Sequence, residues 1–388
     1  MDSQSSGQPT QFKVPDLLFL SAVLLLAGLG LVMVYSASSV TALERYQDSW
    51  HYLKRQLAFD LAGLVGMFLL MTANYQRWVR WGGWLLGASA LGLVLLYVPG
   101  LGVRVGGALR WLSFGGIRIQ PAEMAKLSCV LYMAWALVRK GPNVTTFTYG
   151  LLPMLLVAGV MAGLLMKQPD FGNAVLLVTL SLVMIFLAGG KVSYLLGVML
   201  TASPLVYWAI MGEDYRRKRL LSFLNPWEDP SHTSYQIVQS FAAFFSGGFW
   251  GRGLGNSQEK LYYLPEVHTD FIGSVIGEEL GFVGFAIMIF AFWVIIVRGY
   301  RIALRAPDSM GFLLAAGCTT LIGLQAVLNM MVITGLVPTK GLPLPFISHG
   351  GSSLVMIFLA CGFIQSVGRR AKLSGTAPDS PWLRKWSS

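Results

Sequence analysis

Charged residues are scarce in this chain of 388 residues. Asp, Glu, Lys and Arg make up 12% of it, whereas hydrophobic residues make up 55%. A soluble protein of this length carries about twice that share of charge. The deficit excludes an ordinary soluble enzyme and indicates helices that lie in a lipid bilayer.

Cysteine is rare as well. Cys129, Cys318 and Cys361 each fall inside an apolar run without metal-type spacing, which excludes a disulfide framework. The formal net charge of +11 is spread over loops. Because no basic stripe with interleaved aromatic residues is present, nucleic acid is excluded as a partner, and anionic or phosphorylated lipids are favoured.

Several common motifs are missing too. The chain has no Walker loop, dinucleotide fingerprint or nucleophilic triad. Residues 1–14 lack the basic-then-apolar pattern of a signal peptide, so the first apolar segment is expected to stay in the mature protein.

Apolar runs of spanning length predict an all-α polytopic membrane protein with about ten transmembrane helices. They form one domain over residues 15–370, between cytoplasmic tails 1–14 and 371–388. The largest loop, about 212–270, lies between spans seven and eight. Short basic loops favour cytoplasmic termini, which puts this loop outside. The predicted spans are 16–37, 57–73, 82–99, 122–138, 147–165, 171–189, 192–211, 271–297, 309–334 and 352–367.

Charged residues near the fourth span form the first candidate group. Pro121 fits the first turn of that helix, so Glu123 and Lys126 lie three residues apart on one face. Arg110 precedes them in the loop. The pair either belongs to a substrate site or is a structural ion pair that pins two helices, and the sequence leaves both interpretations open.

Two further groups lie at outer span ends. Asp170 follows a helix-breaking Pro169, and Lys167 one turn away favours a local ion pair; a purely architectural turn is the alternative. Before the last span, prolines forbid a regular helix and glycines allow a close backbone approach, so the helix N-terminus would offer free N–H groups to phosphate. The candidate residues of this last group are Lys340, Ser348, Gly350, Gly351 and Ser352.

Asp270 has the best place for a general base, because it is a carboxylate at the outer rim of a span. His268 is a neighbour that would orient it. A base, several cations and a helix N-terminus at one outer face suit the transfer of a sugar from a phosphate leaving group. Arginine, lysine or a divalent cation such as Mg²⁺ or Mn²⁺ would neutralise that phosphate, and the sequence leaves these alternatives open.

These segments resemble the SEDS family (shape, elongation, division and sporulation proteins) over about residues 15–370. Thr339-Lys340-Gly341 and Gly277-Glu-Glu-Leu-Gly281 are more similar to the division branch than to the elongation branch. The motifs that carry the resemblance are Gly107-Ala-Leu-Arg110-Trp, Gln120-Pro-Ala-Glu123-Met-Ala-Lys126, Gln168-Pro-Asp170-Phe-Gly172, Leu264-Pro-Glu-Val-His-Thr-Asp270-Phe and Pro345-Phe-Ile-Ser-His-Gly-Gly-Ser-Ser353.

The resemblance implies a peptidoglycan glycosyltransferase of the bacterial inner membrane that polymerises lipid II at the septum and releases undecaprenyl diphosphate. It implies an FtsI-like class B penicillin-binding transpeptidase and division regulators as partners. It also implies that Asp270 is the catalytic base of an inverting transfer. The further site residues that it implies are Arg110, Glu123, Lys126 and Lys340.

Two alternatives stay open. One is a sidewall polymerase of the elongation branch. The other is a lipid II flippase, which needs a hydrophilic path through the bundle. The chain also departs from the family pattern at Leu109, where arginine is usual, and at His349, where tyrosine is usual, so the individual phosphate contacts stay open. The few candidates for a flippase path are Asp60, Glu278, Glu279, Gln325 and Asn329.

Overall fold

The computed structural model describes residues 15–105, 108–114, 117–228, 234–257 and 269–374. They form a helical bundle with one small antiparallel sheet of order β1-β2-β3. The helices are α1 (Leu17–Tyr46), α2 (His51–Thr72), α3 (Tyr75–Arg80), α4 (Gly82–Leu95), α5 (Pro121–Lys140), α6 (Leu152–Lys167), α7 (Phe171–Leu187), α8 (Val192–Met211), α9 (Asp214–Leu224), α10 (Tyr235–Gly247), α11 (Ile272–Glu279), α12 (Gly281–Leu304), α13 (Ser309–Ile333) and α14 (Gly351–Ser374). The strands are β1 (Gly102–Val105), β2 (Ala108–Phe114) and β3 (Ile117–Ile119).

Among the described residues, seven helices are long and apolar enough to cross a membrane: α1, α2, α6 with its preceding turn, α8, α12, α13 and α14. The predicted fold class, a polytopic helical membrane protein, is confirmed. The predicted spans at 82–99 and 171–189 correspond to the shorter apolar helices α4 and α7. The predicted span at 122–138 corresponds to α5, which carries an ion pair in its first two turns. The number of ten spans stays a prediction.

Three features differ from the sequence-based expectation. Residues 102–105, 108–114 and 117–119 form the sheet, and the large loop contains α9 and α10. The span predicted at 271–297 is divided into α11 and α12 at Gly281. Gly281 has φ +66°, and a Cβ there would lie 2.3 Å from the amide nitrogen of Gly251. The break therefore needs glycine at position 281, because other residues would clash and be strained.

α13 is the central helix of the bundle. It packs against α5, α7, α12 and α14. In the most apolar stretch of α13, 78% of the residues are buried inside the protein, whereas in that of α8 only 12% are buried. α13 is therefore the rigid support for the segments around it, and α8 lies at the periphery.

The two ends of the bundle are formed by different structural elements. The sheet, α9 and the segment 334–350 lie at one end, which we call the site end. At the opposite end, Asp16 caps α1 and pairs with Arg298 at 2.6 Å. Asp308 caps α13 there and accepts hydrogen bonds from Tyr75 and Gln76. These carboxylates tie α1, α3, α12 and α13 together away from the site.

Candidate active site

Asp270 lies two residues before the start of α11 and is partly buried. Asn329 on α13 donates to the carbonyl oxygen of Asp270 at 2.9 Å and to that of Leu342 at 2.7 Å. The hydroxyl of Ser348 donates to the carbonyl of Thr269. These bonds fix the backbone of the candidate base against the central helix and against the segment 334–350.

Gly341 lies beneath two charged side chains. A Cβ at this position would lie 3.1 Å from Oδ2 of Asp270 and 3.7 Å from Nη1 of Arg110. Arg110 comes from β2, donates to the carbonyl of Pro169 at 2.7 Å, and has its Nε 3.9 Å from the carboxylate of Asp170. The structure thus brings the predicted residues Arg110, Asp170 and Asp270 together, and a glycine leaves room for them.

A cavity of about 390 Å³ opens beside this group. One part of its wall is cationic and the other is apolar, with Asp170 as the lining carboxylate. Such a cavity suits an amphipathic anion, because the cations neutralise its charge and the apolar wall accepts a hydrocarbon part. The cationic lining residues are Arg110, Arg216, Arg219 and Lys340, and the apolar ones include Phe171, Val175, Ile210, Leu220 and Pro338.

Phe171 separates two of these cations. Its ring centre lies 5.5 Å from Nζ of Lys340 and 5.8 Å from Cζ of Arg216, so both make cation–π contacts. Arg219, one turn further along α9, donates to the carbonyl of Thr339 at 3.0 Å. Arg216 and Arg219 were not predicted as site residues. Their basic run is visible in the sequence, but its spacing does not indicate that α9 lies over the cavity.

Burial lowers the pKa of Lys340 below the ordinary value of a lysine, because desolvation disfavours the ammonium form. The unfolded chain therefore holds this proton more tightly than the folded protein does. The destabilising effect of the buried charge is complete below the lowered pKa and is lost as the pH rises from there to the ordinary pKa of a lysine. In the alkaline range the cavity loses one of its four cations earlier than an exposed lysine would.

This shift predicts a pH dependence for anion binding in the cavity. We expect the apparent KM for a lipid-linked diphosphate substrate to rise on the alkaline side of neutrality, with a midpoint below that of an ordinary lysine. Lys340→Arg keeps a positive charge at every accessible pH, so its KM should stay flat over the same range. Initial rates between pH 7 and pH 10 would measure both profiles. Identical profiles for the two proteins would contradict the assignment of Lys340.

Glu123 and Lys126 lie inside the bundle, each with a side chain 1% exposed. Nζ of Lys126 is 2.8 Å from the Glu123 carboxylate and 2.9 Å from Oε1 of Gln325. The amide of Gln325 in turn donates to the carbonyl of Pro343 at 3.0 Å and to Ser353 at 3.2 Å. This burial favours the interpretation as a structural ion pair, which links α5 and α13 to the segment 334–350.

The residues at the start of α14 and just before it have internal partners. Ser348 accepts a hydrogen bond from the amide of Leu344 at 2.7 Å. Ser352 accepts one from the amide of Gln120 at 3.1 Å. A Cβ on Gly351 would lie 2.5 Å from the ring of Phe59. These residues and the neighbouring Gly350 are not among those that line the cavity, so phosphate binding at this helix N-terminus stays a prediction.

Lys167 and His268 complete the predicted set. Lys167 is exposed at the end of α6, and within the described segments it makes no ion pair with Asp170. The expected Lys167–Asp170 pair is wrong, because Asp170 caps α7 by accepting from Asn173 and pairs with Arg110 instead. His268 lies outside the described residues.

The described part of the chain contains no cluster of potential metal ligands. No three His, Cys, Asp or Glu side chains converge there. Asp170 is engaged by Arg110 and Asn173. The cations that line the cavity are arginine and lysine, and a divalent cation shared with the substrate phosphates stays an open alternative.

Comparison with known proteins covers nearly the whole chain. The family model FTSW_RODA_SPOVE, described as "Cell cycle protein", matches residues 16–373. A protein of Trichlorobacter lovleyi named "Probable peptidoglycan glycosyltransferase FtsW" is 44% identical over 367 residues, which is 95% of this chain and 96% of the relative. The stage V sporulation protein E of Bacillus subtilis is 40% identical over 358 residues, with 92% and 98% covered.

Two solved structures have the same fold. A chain of a peptidoglycan synthase complex, studied for its coordination of polymerization and crosslinking, has a TM-score of 0.77 at 30% identity. The crystal structure of the rod shape determining protein RodA of Thermus thermophilus has a TM-score of 0.67 at 27% identity. Each comparison covers 92% of this chain, and 98% and 97% of the respective neighbour. The resemblance found in the sequence is confirmed, and the chain belongs to the FtsW/RodA/SpoVE family of cell cycle proteins.

Proposed function

We propose that this protein is a peptidoglycan glycosyltransferase that polymerises lipid II into glycan strands. The observation that carries the proposal is the position of Asp270 beside Arg110 over Gly341, next to a cavity with four cations and an apolar wall. A carboxylate for proton transfer and a cationic site for a lipid diphosphate are what this reaction requires. The relatives named peptidoglycan glycosyltransferase support the same activity.

Asp270 acts as the general base in this proposal. Its carboxylate takes the proton from the 4-hydroxyl of the acceptor N-acetylglucosamine. That oxygen attacks the anomeric carbon of the donor N-acetylmuramic acid, and the bond to undecaprenyl diphosphate breaks with inversion. Asn329 holds the backbone of Asp270 at 2.9 Å, so the base is positioned before the substrate arrives.

The diphosphate lies against the cationic wall. Arg110, Arg216 and Arg219 offer guanidinium groups that bind phosphate oxygens in pairs, and Lys340 adds a further charge. These groups stabilise the negative charge that grows on the leaving diphosphate. The apolar residues of α7, α8 and α9 accept the first isoprene units, which orients the lipid along the bundle.

The flippase alternative is weakened by how the polar residues inside the bundle are used. Gln325 and Asn329 hold the segment 334–350. Glu279 accepts a hydrogen bond from Ser36 at 2.7 Å, and Glu278 pairs with Arg252 at 3.6 Å. These four residues serve as anchors for the site end, so they do not line a continuous hydrophilic path. Asp60, the fifth candidate, is buried, and neither of its carboxylate oxygens has a hydrogen-bond partner among the described residues; one such residue does not make a path.

The same proposal includes the orientation, the place and the partners of the protein. The site end faces the periplasm and both termini face the cytoplasm, in keeping with the short basic loops. The relatives named FtsW favour a role at the division septum. A structural neighbour belongs to a peptidoglycan synthase complex, which supports an FtsI-like class B transpeptidase as the partner, together with division regulators.

Purified protein tests the proposal directly. Incubated with lipid II, with and without its cognate transpeptidase, the protein should yield glycan strands that appear as a ladder on a gel. A parallel assay should follow the movement of fluorescent lipid II across proteoliposome membranes. Movement of lipid II without any glycan product in either condition would overturn the polymerase and favour the flippase.

A further inference from the structure

A run of aromatic rings in contact with one another leads away from the candidate base. His349 follows Ser348, whose hydroxyl bonds the residue before Asp270. The ring of His349 meets Tyr52 at 5.3 Å, Tyr52 meets Tyr46 at 5.9 Å, and Tyr46 stacks on His51 at 3.9 Å and 7°. We call these four residues, His349, Tyr52, Tyr46 and His51, the aromatic track. It lies on α2, at the end of α1 and just before α14.

The exposed part of the track is large. Tyr46 is 48% exposed, and the neighbouring Trp50 is 51% exposed and packs against Tyr35 at 4.9 Å. The sequence pattern of this region is also typical of a helix that lies in the membrane interface. The structure shows no separate helix there, because α1 extends to Tyr46 and α2 begins at His51.

Two polar atoms, one beside the track and one in it, have no hydrogen-bond partner among the described residues. Gln56 is fully buried, its Oε1 is 3.2 Å from Nδ1 of His349, and its Nε2 has no hydrogen-bond partner among the described residues. Nε2 of His51 likewise has none. A buried polar group without a partner costs about 1–3 kcal/mol. The orphaned amide and imidazole therefore indicate a hydrogen-bonding ligand or water that reaches this cluster.

A simple membrane anchor explains these features less well. Interfacial tyrosine and tryptophan side chains place an apolar body in lipid and a polar tip in water. Here the rings contact one another, face to face for Tyr46 and His51 and edge to face for the other two pairs. Tyr46 and Trp50 are flanked by exposed Glu44, Arg45 and Lys54. The same cluster contains the imidazoles of His51 and His349 and the buried amide of Gln56. Flat rings beside hydrogen-bonding groups suit a ligand with flat apolar faces and polar edges.

Sugars have this chemistry, since the C–H face of a pyranose packs on an aromatic ring while its hydroxyl and acetamido groups form hydrogen bonds. We propose that the aromatic track binds β-linked N-acetylated amino sugars of the glycan strand. The proposal rests on the proposed function. It adds a separate subsite, opposite in character to the cationic cavity, so the sugar strand and the lipid diphosphate occupy different surfaces.

Binding of a soluble oligosaccharide tests this subsite without catalysis. Oligomers of β-1,4-linked N-acetylglucosamine would be titrated onto purified Asp270→Asn protein, with saturation-transfer NMR or calorimetry as the readout. We expect Tyr46→Ala and Trp50→Ala each to weaken binding about five- to tenfold. Tyr46→Phe, which keeps the ring, should bind as before. Trp250→Ala removes an equally large ring that is 77% exposed elsewhere, and should bind as before.

The outcomes separate this proposal from the function itself. Oligosaccharide binding that depends on Tyr46 and Trp50 supports the subsite even if the protein makes no glycan. If polymerisation is active, Tyr46→Ala should also shorten its products relative to Trp250→Ala. Absence of binding, or an equal loss in Trp250→Ala, overturns the subsite and leaves the polymerase untouched.

Discussion

Replacement of Asp270 by asparagine should reduce glycan synthesis from lipid II by a factor of about 10² to 10⁴, the usual contribution of a general base. The amide has nearly the same shape as the carboxylate but does not accept a proton at neutral pH. Because the backbone of Asp270 is held by Asn329 and by Ser348 through Thr269, the fold should be unchanged. Turnover of purified Asp270→Asn on lipid II measures the effect.

Asp308→Asn is the matched control. Asp308 is a carboxylate at the opposite end of the bundle, where it caps α13, a role that asparagine also fills. It does not line the cavity. The control should retain full activity, and both variants should unfold at the wild-type temperature. Near-normal strands from Asp270→Asn would show that Asp270 is not the general base of the transfer.

Much of the site was predictable because the sequence marks charges that are costly to keep in a membrane. Asp270, Arg110 and Lys340 each stand out as ionisable groups next to apolar runs. Their convergence around Gly341 follows from the family resemblance and was not visible in their spacing. Positions 110, 270 and 341 are far apart in the chain, and tertiary packing on α13 brings them together.

Other parts of the site were not predictable from local pattern. Arg216 and Arg219 lie in a polar segment that is typical of a solvated loop, and only the fold places α9 over the cavity. In the sequence, Asn329 is a polar residue in the middle of an apolar span, a pattern that is also typical of a transport path. Its role depends on two carbonyl groups supplied by distant segments. Propensity and periodicity carry no information about such contacts.

Glu123 and Lys126 are a pair whose contact was predictable from the sequence but whose surroundings were not. Their spacing correctly predicts a pair on one helical face. The spacing does not decide whether the pair faces a cavity or the protein interior, because the sequence pattern of α5 is compatible with either environment. Burial decides it, and burial depends on how α13 and α14 close over the first turns of α5.

That burial predicts a large effect for a single substitution. Lys126→Met should destabilise the folded protein by about 3–5 kcal/mol, the usual cost of leaving one buried charge without its partner. The carboxylate of Glu123, 1% exposed, would lose its cation at 2.8 Å. The double variant Glu123→Leu/Lys126→Met removes both charges, so its stability should return close to that of the wild type. Thermal unfolding in detergent, followed by tryptophan fluorescence, compares the two.

Activity separates the anchoring role of the pair from its effect on stability. In the double variant Gln325 still lacks the ammonium group that bonds its Oε1, so its hold on Pro343 and the segment before α14 weakens. We expect the double variant to be stable but slow in glycan synthesis, with kcat reduced and KM little changed. Arg298→Met breaks an ion pair of 2.6 Å at the opposite end and should lose some stability while keeping its kcat. A double variant with both wild-type stability and wild-type kcat would show that the pair only fastens helices and does not position the segment that carries Lys340 and Gly341.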